Sequence, residues 1–287
     1  MKRIRTSLKR YWPLIKSLQT GLLLFTGLAG YMTARCPVLN WTTMIGLAGS
    51  LFLAISGSTV MNMVYDRDID AKMKRTCLRP LPVGSVSTRE GLVLGSSLSL
   101  AGVIWATGMN GLFGLVVFAG WFFDVVVYTM LLKRRTAWSI VWGGIAGGMP
   151  VLAGRTLGLG TIDWVGISLT FAVLFWIPTH ILTFSLRYKD DYARAAIPTF
   201  PSRYGDQITQ RVIALSSLLA AVAIGLSAIG IGITWGYLRL LCVLSAGLLV
   251  LALFSLLRPS SKLQFRLFKY ASLYMLGSML LLSVEAF

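Results

Sequence analysis

The chain has 287 residues, 56% hydrophobic and only 13% charged, with a mean hydropathy of +0.74 and a net charge of +17. A soluble domain usually carries about 25% charged residues, so this composition excludes one, together with disordered and collagen-like chains. Cys36, Cys77 and Cys242 lie far apart with no CxxC or Cys/His spacing, which argues against a disulfide framework or a zinc site and leaves a polytopic, all-α membrane protein with no nucleic-acid partner.

Crossing a bilayer takes about 20 mostly apolar residues. Runs of that kind occupy roughly 13–33, 41–65, 88–108, 112–132, 138–157, 164–186, 209–229, 234–257 and 267–285, which predicts nine transmembrane helices. The first run follows Met1-Lys-Arg-Ile-Arg, but its apolar part is long and no small-residue cleavage site follows, so it reads as a retained span. Residues 1–12 read as a basic cytoplasmic segment, and 1–287 as a single transmembrane domain in contact with the lipid bilayer.

Basic residues set the orientation. With the N-terminus in the cytoplasm, 24 of the 27 Lys and Arg fall in the N-terminal segment and in the loops after spans two, four, six and eight. Only Arg35, Arg155 and Arg239 fall on the other side. The expectation is a multi-pass protein of the cell membrane, N-terminus inside and C-terminus outside.

The ten acids are distributed more narrowly. Asp66, Asp68, Asp70, Glu90, Asp190, Asp191 and Asp206 lie on the cytoplasmic side, Asp163 and Glu285 on the other, and Asp124 in mid-span. At the end of span two, Asn62, Asp66 and Asp70 are spaced i, i+4, i+8. On a continuous helix they would stay within about 80° of one another while rising roughly 12 Å. Like-charge repulsion would destabilise such an oxygen-rich strip unless a cation neutralised it, and hard oxygen donors suit Mg²⁺. Lys72, Lys74, Arg75 and Arg79 follow at once, as donors suited to phosphate.

Tyr188-Lys189-Asp190-Asp191-Tyr192 closes span six, with Arg194 just beyond. Alone, this acidic pair is an ordinary loop feature. Facing the first strip across one cavity, it would help hold Mg²⁺ against a diphosphate, whose neutralisation lets a carbon–oxygen bond break heterolytically. Lys133, Arg134 and Arg135, at the same depth, either hold the leaving group or serve simply as cytoplasmic-side charges.

The stretch Asn62-Met-Val-Tyr-Asp-Arg-Asp-Ile-Asp-Ala-Lys-Met-Lys-Arg-Thr-Cys-Leu-Arg-Pro-Leu-Pro82 resembles the first motif of the UbiA superfamily of intramembrane prenyltransferases, and within it the haem O synthase branch. Tyr128-Thr-Met-Leu-Leu-Lys-Arg-Arg-Thr136, Gly143-Gly-Ile-Ala-Gly-Gly-Met-Pro150 and Lys189-Asp-Asp-Tyr-Ala-Arg-Ala-Ala-Ile-Pro198 agree with it, and the resemblance runs from about residue 10 to the C-terminus. It implies nine helices around a central cavity open to the cytoplasmic side. It also implies transfer from farnesyl diphosphate to a vinyl group of haem B, with Mg²⁺ as cofactor. A terminal oxidase assembly or a haem A synthase would be the conceivable macromolecular partner.

By that resemblance Asn62, Asp66, Asp70, Asp190 and Asp191 take the metal and catalytic roles. Arg75, Arg79 and Lys133 fall at basic positions of the matching motifs, and Arg134 joins them as a diphosphate ligand. Three departures stand out. Asp190 and Asp191 are adjacent where the superfamily spaces its acids D-x-x-x-D. Trp176-Ile-Pro-Thr-His180-Ile replaces Trp-x-Pro-Pro-His-Phe, and Ala195-Ala-Ile-Pro replaces Ala-Gly-Ile-Pro.

His180 is the only histidine, so haem ligation by two histidines of one chain is impossible. An ionisable residue inside a span is a functional candidate. The Pro-x-His element assigns His180 to the haem iron or to proton transfer when water adds; a hydrogen-bonded interhelical histidine is the alternative. Asp124 matches no acid of the family and either pairs with a polar neighbour or lines the cavity. Two other functions stay open: the same enzyme chemistry on an aromatic ring or lipid head group, and a cation-coupled transporter. The transporter fits less well, because its acids would sit near the midplane within repeated halves.

Overall fold

The computed structural model describes residues 11–34, 40–258 and 260–284. The basic residues Lys2, Arg3, Arg5, Lys9, Arg10 and Arg35, together with Cys36 and Glu285, lie outside the described residues. Among the described residues there is no strand.

A short 3₁₀ turn, Trp12–Leu14, leads into α1 (Ser17–Met32). Next come α2 (Trp41–Tyr65), the one-turn α3 (Arg67–Lys72) and α4 (Thr88–Met109). Helix α5 (Gly111–Trp121) continues into a π-helical segment, Phe122–Leu132. Then follow α6 (Ser139–Leu159), α7 (Trp164–Arg187), the short α8 (Lys189–Arg194) and α9 (Phe200–Tyr204), α10 (Asp206–Ile231), α11 (Trp235–Leu257) and α12 (Ser261–Val284). Each run predicted from hydropathy is helical along most of its length. Among the described residues, seven helices are long and apolar enough to cross a membrane; α1, with 16 residues, and the glycine-rich α6 are not among them.

Local chemistry explains where the helices start and stop. Asn40, Ser87, Asn110 and Asp163 each accept hydrogen bonds from first-turn N–H groups of α2, α4, α5 and α7, and Ser87 forms a capping box with Glu90. Gly160 (φ 75°) and Gly232 (φ 71°) end α6 and α10 in the left-handed region that glycine enters without cost.

Packing follows chain order. Helix α1 lies on α2, α2 on α4, α4 on α5, α5 on α6, α6 on α7, α7 on α10, α10 on α11 and α11 on α12, and α12 returns to α1. Helices α1 and α6 cross in backbone contact: a Cβ at Gly30 would fall on the carbonyl oxygen of Val151, and one at Gly154 on that of Gly27. Small residues at such crossings let helices approach where lipid gives no hydrophobic drive for association. Buried Arg155 of α6 fixes the same crossing, donating to the Thr33 carbonyl at 2.6 Å and to both oxygens of Asp163 at 2.8 and 2.7 Å.

Candidate prenyl diphosphate site

The Asn62–Asp66–Asp70 strip is not one continuous helix. Helix α2 ends at Tyr65, and Asp66 (φ −89°, ψ 3°) turns the chain into α3. Two bridging hydrogen bonds, Asp66 N–H to Asn62 carbonyl at 2.9 Å and Asp70 N–H to Asp66 carbonyl at 2.7 Å, carry the i, i+4 spacing across the break. Asp66 and Asp70 are buried, 5% and 4% exposed, whereas Asp68 points outward.

The acids are paired by the protein's own bases: Lys133 with Asp66, Arg79 with Asp70 at 2.7 Å, and Arg194 with Asp191. These charges meet only in three dimensions, because Lys133 lies 67 residues from Asp66 in the chain. Burial works against the Lys133 ammonium, but the Tyr128 oxygen and the Asp66 carboxylate outweigh it and push the pKa of Lys133 up, so it stays charged. Arg134 holds Asp68 with both terminal nitrogens, at 2.8 and 2.6 Å, reaches the Tyr65 carbonyl, and stays within electrostatic reach of Asp66.

The second acidic segment comes against the first. The Arg75 N–H donates to Asp191 Oδ2 at 3.3 Å. Ile69 and Met73 share a small apolar cluster with Tyr192, Ala195 and Ile197. A cavity of about 450 Å³ opens beside this contact, lined by Lys74, Arg75, Arg187, Tyr188, Asp190, Asp191 and Arg194. The guanidinium groups of Arg75 and Arg187 lie over the Tyr188 ring, 5.6 and 5.7 Å from its centroid. Asp191 is buried and Asp190 exposed at the cavity edge.

Short helix α8 closes with Ala196 at φ 54°, donating to the Ala193 carbonyl, and with Ile197 N–H reaching back to Tyr192 at 3.1 Å. This is a Schellman ending, with alanine where glycine is usual. It falls at the position where the related motif reads Ala-Gly-Ile-Pro.

His180 sits among rings rather than among the acids. Its centroid lies 5.2 Å from Trp176, 5.2 Å from Phe184 and 5.1 Å from Phe268, and its buried Nδ1 has no hydrogen-bond partner. Helix α7 breaks at Tyr188, so His180 and Asp190 do not share one unbroken helix.

Several residues of this region had no signal in the sequence. Lys16 adopts φ 47° at the start of α1, and its ammonium comes within electrostatic reach of Arg79, Lys133, Asp66 and Asp124. Ser58 and Thr129 bind to Asp124 and Asn62. Only a lysine at the mouth of the first apolar run, with positive φ invisible in sequence, could have hinted at Lys16.

Among the described residues no three His, Cys, Asp or Glu side chains converge as a ready-made metal cage. The donor set nonetheless fits Mg²⁺, which takes one or two protein carboxylates together with diphosphate oxygens and water. The Asp66 Oδ1 atom supports that fit, being buried and without a hydrogen-bond partner.

Asp190 and Asp191 are the acids that line this basic cavity, while Asn62, Asp66, Asp70, Arg79 and Lys133 lie outside its lining. Residues 23–274 match the UbiA prenyltransferase family, and the chain belongs to it. It is thus a multi-pass membrane enzyme that transfers prenyl groups, which sets the transporter alternative aside.

Its relatives include the protoheme IX farnesyltransferase of Pyrobaculum arsenaticum, 41% identical over 216 residues, covering 75% of this chain and 77% of the relative. The protoheme IX farnesyltransferase of Pyrobaculum islandicum is 35% identical over 263 residues, covering 91% and 94%. Among solved structures, a digeranylgeranylglyceryl phosphate synthase superposes with a TM-score of 0.82 at 18% identity, covering 97% and 98% of the two chains. A UbiA homologue from Archaeoglobus fulgidus bound to GPP and Mg²⁺ superposes with a TM-score of 0.66 at 16% identity, covering 96% and 99%. At those identities the likeness is one of fold.

Proposed function

We propose that this chain transfers a farnesyl group from farnesyl diphosphate to a vinyl group of haem B, with addition of water, giving haem O. One observation carries the reading: the two acidic segments meet through Arg75 and Asp191 beside a base-lined cavity. The farnesyltransferase names of relatives at 35% and 41% identity support the acceptor.

In this reading Asn62, Asp66, Asp70, Asp190 and Asp191 would hold Mg²⁺. Bound there, Mg²⁺ would take up the negative charge that develops on the departing diphosphate. Lys133 and Arg79, which pair with Asp66 and Asp70, are placed to transfer part of their hydrogen bonding to phosphate oxygens as the substrate enters. Arg75 would reach the same oxygens from the cavity wall, and Arg134, held on Asp68, would join it as a diphosphate ligand.

The bond between C1 of the farnesyl chain and the diphosphate oxygen breaks, and C1 joins the terminal vinyl carbon. Water adds to the inner vinyl carbon and releases one proton. His180, with Nδ1 free, is the residue assigned to the haem iron or to that proton. Nine spans form one domain in the cell membrane, with the N-terminus and the cavity on the cytoplasmic side. The product would pass to a haem A synthase or a terminal oxidase assembly.

The test is incubation of purified protein with Mg²⁺, farnesyl diphosphate and haem B, followed by mass spectrometry. The expected result is a porphyrin that has gained farnesyl plus water, and no gain in EDTA. An unaltered porphyrin with Mg²⁺ present would overturn the haem assignment, and transfer persisting in EDTA would overturn the metal one.

A further inference from the structure

Asp124 lies inside an apolar segment, where a carboxylate is expensive and is retained when it has work to do. Its Oδ2 accepts from the Ser58 hydroxyl and from Asn62 Nδ2 at 3.0 Å, and Ser58 and Asn62 are one turn apart on α2. The Thr129 hydroxyl lies against Asn62 Oδ1 and, at 2.8 Å, against the carbonyl oxygen of Asp124. Both ends of the Asn62 amide are therefore held from a single segment. That segment is π-helical, and its i→i+5 winding is what brings Asp124 and Thr129, five residues apart, onto the same partner. An α-helical winding would present residue 128 instead.

We propose that Asp124 is a positioning residue that sets the orientation of Asn62 for the metal–diphosphate site; the inference rests on that reading of the site. Oδ2 of Asp124 accepts from the Ser58 hydroxyl and from the amide nitrogen together, and this pair of contacts places the nitrogen end of Asn62 towards Asp124. Oδ1, the end able to ligate a cation, is then turned away from Asp124 with a lone pair beyond the one facing Thr129. Without an acceptor at position 124, the Asn62 amide would lose this orientation and leave its nitrogen unpaired. Groups that orient a metal ligand in this way commonly govern affinity by about 10–100-fold.

The test uses full-length protein in detergent with farnesyl diphosphate, reading Mn²⁺ binding by electron paramagnetic resonance, with no acceptor required. Asp124→Ala should weaken Mn²⁺ binding about tenfold. Asp124→Asn keeps an acceptor oxygen for the Ser58 hydroxyl and the Asn62 nitrogen but adds a competing NH2 donor, so its loss should be smaller than that of Asp124→Ala. Thr129→Val, of nearly the same shape, frees the other end of the amide and should also weaken binding. In an Asn62→Ala background, Asp124→Ala should add nothing, since the group it orients is gone. Wild-type titration by both Asp124→Ala and Thr129→Val, or a full additional loss in the Asn62→Ala background, would overturn the positioning role. Failure of wild-type protein itself to bind Mn²⁺ with farnesyl diphosphate would instead overturn the metal-site reading, and this inference with it.

Discussion

Lys133 pairs with one oxygen of the buried Asp66, and the other oxygen of that carboxylate has no hydrogen-bond partner. A half-satisfied buried carboxylate costs stability, about 1–3 kcal/mol for an unmade hydrogen bond and more for a charged group. A fold selected for stability alone would bond both oxygens. In the proposed mechanism that oxygen would ligate the cation, and Lys133 beside it would meet the accompanying anion.

Asp66→Ala and Asp70→Ala should therefore each lower prenyl transfer by at least about 100-fold while the protein still purifies as a folded species. Turnover assays alongside size-exclusion profiles check this. Wild-type turnover in either variant would remove the strip from the mechanism.

His180→Ala should weaken haem B binding by about tenfold and leave farnesyl diphosphate binding within about twofold. The reason is its surroundings: His180 sits among Trp176, Phe184 and Phe268 and is not one of the residues lining the cavity. Titration of the haem absorption band, beside calorimetry with the diphosphate, separates the two. An unchanged haem titration would make His180 a packing residue.

Arg155 and Asp163 predict a pH-dependent lock at the opposite end of the helices. Burial opposes the charged form of Asp163, but hydrogen bonds from Arg155 and from the Gly166 N–H outweigh it and hold the carboxyl below its ordinary 3.8. A depressed carboxyl stabilises the fold above its unfolded pKa and ceases to do so as pH falls through the lower folded value. Arg155→Met should cost about 2 kcal/mol at pH 7, between the values typical of exposed and buried pairs. In thermal melts the gap between wild type and variant should shrink at pH below 3.8 and be smaller still near pH 2. A gap that stays constant with pH would contradict the lock.

Ala196→Gly should stabilise the protein by about 1 kcal/mol, because a left-handed alanine pays for its Cβ and glycine does not. A rise in melting temperature of about 2 °C is expected. Ala196→Val should lower it. No rise with glycine would mean that the surrounding contacts relieve the strain.

What could be read along the chain was whatever depends on near neighbours. Apolar runs located the helices, because a bilayer charges each segment separately for its polar groups. Asn40, Ser87, Asn110 and Asp163 cap helices through the next turn alone, a local signal that the reading of apolar runs left unused. The i, i+4, i+8 spacing of Asn62, Asp66 and Asp70 announced an oxygen-rich strip and, by resemblance, the family.

Other features required the chain to return on itself. The pairing of Asp66 with Lys133 and the meeting of Arg75 with Asp191 span 67 and 116 residues, and no local pattern encodes which base will face which acid. The break at Asp66 escaped the helical count because periodicity survives a one-residue kink. The π-helical turn that carries Asp124 and Thr129 to Asn62 has the same composition as an α-helix and differs only in hydrogen-bond register. Sequence alone determined a membrane-embedded helical prenyltransferase and the residue types of its site, since hydropathy and motif spacing are properties of consecutive residues. Tertiary structure alone decided how the acids are neutralised and how Asn62 is held, since those follow from distances between segments that only packing brings together.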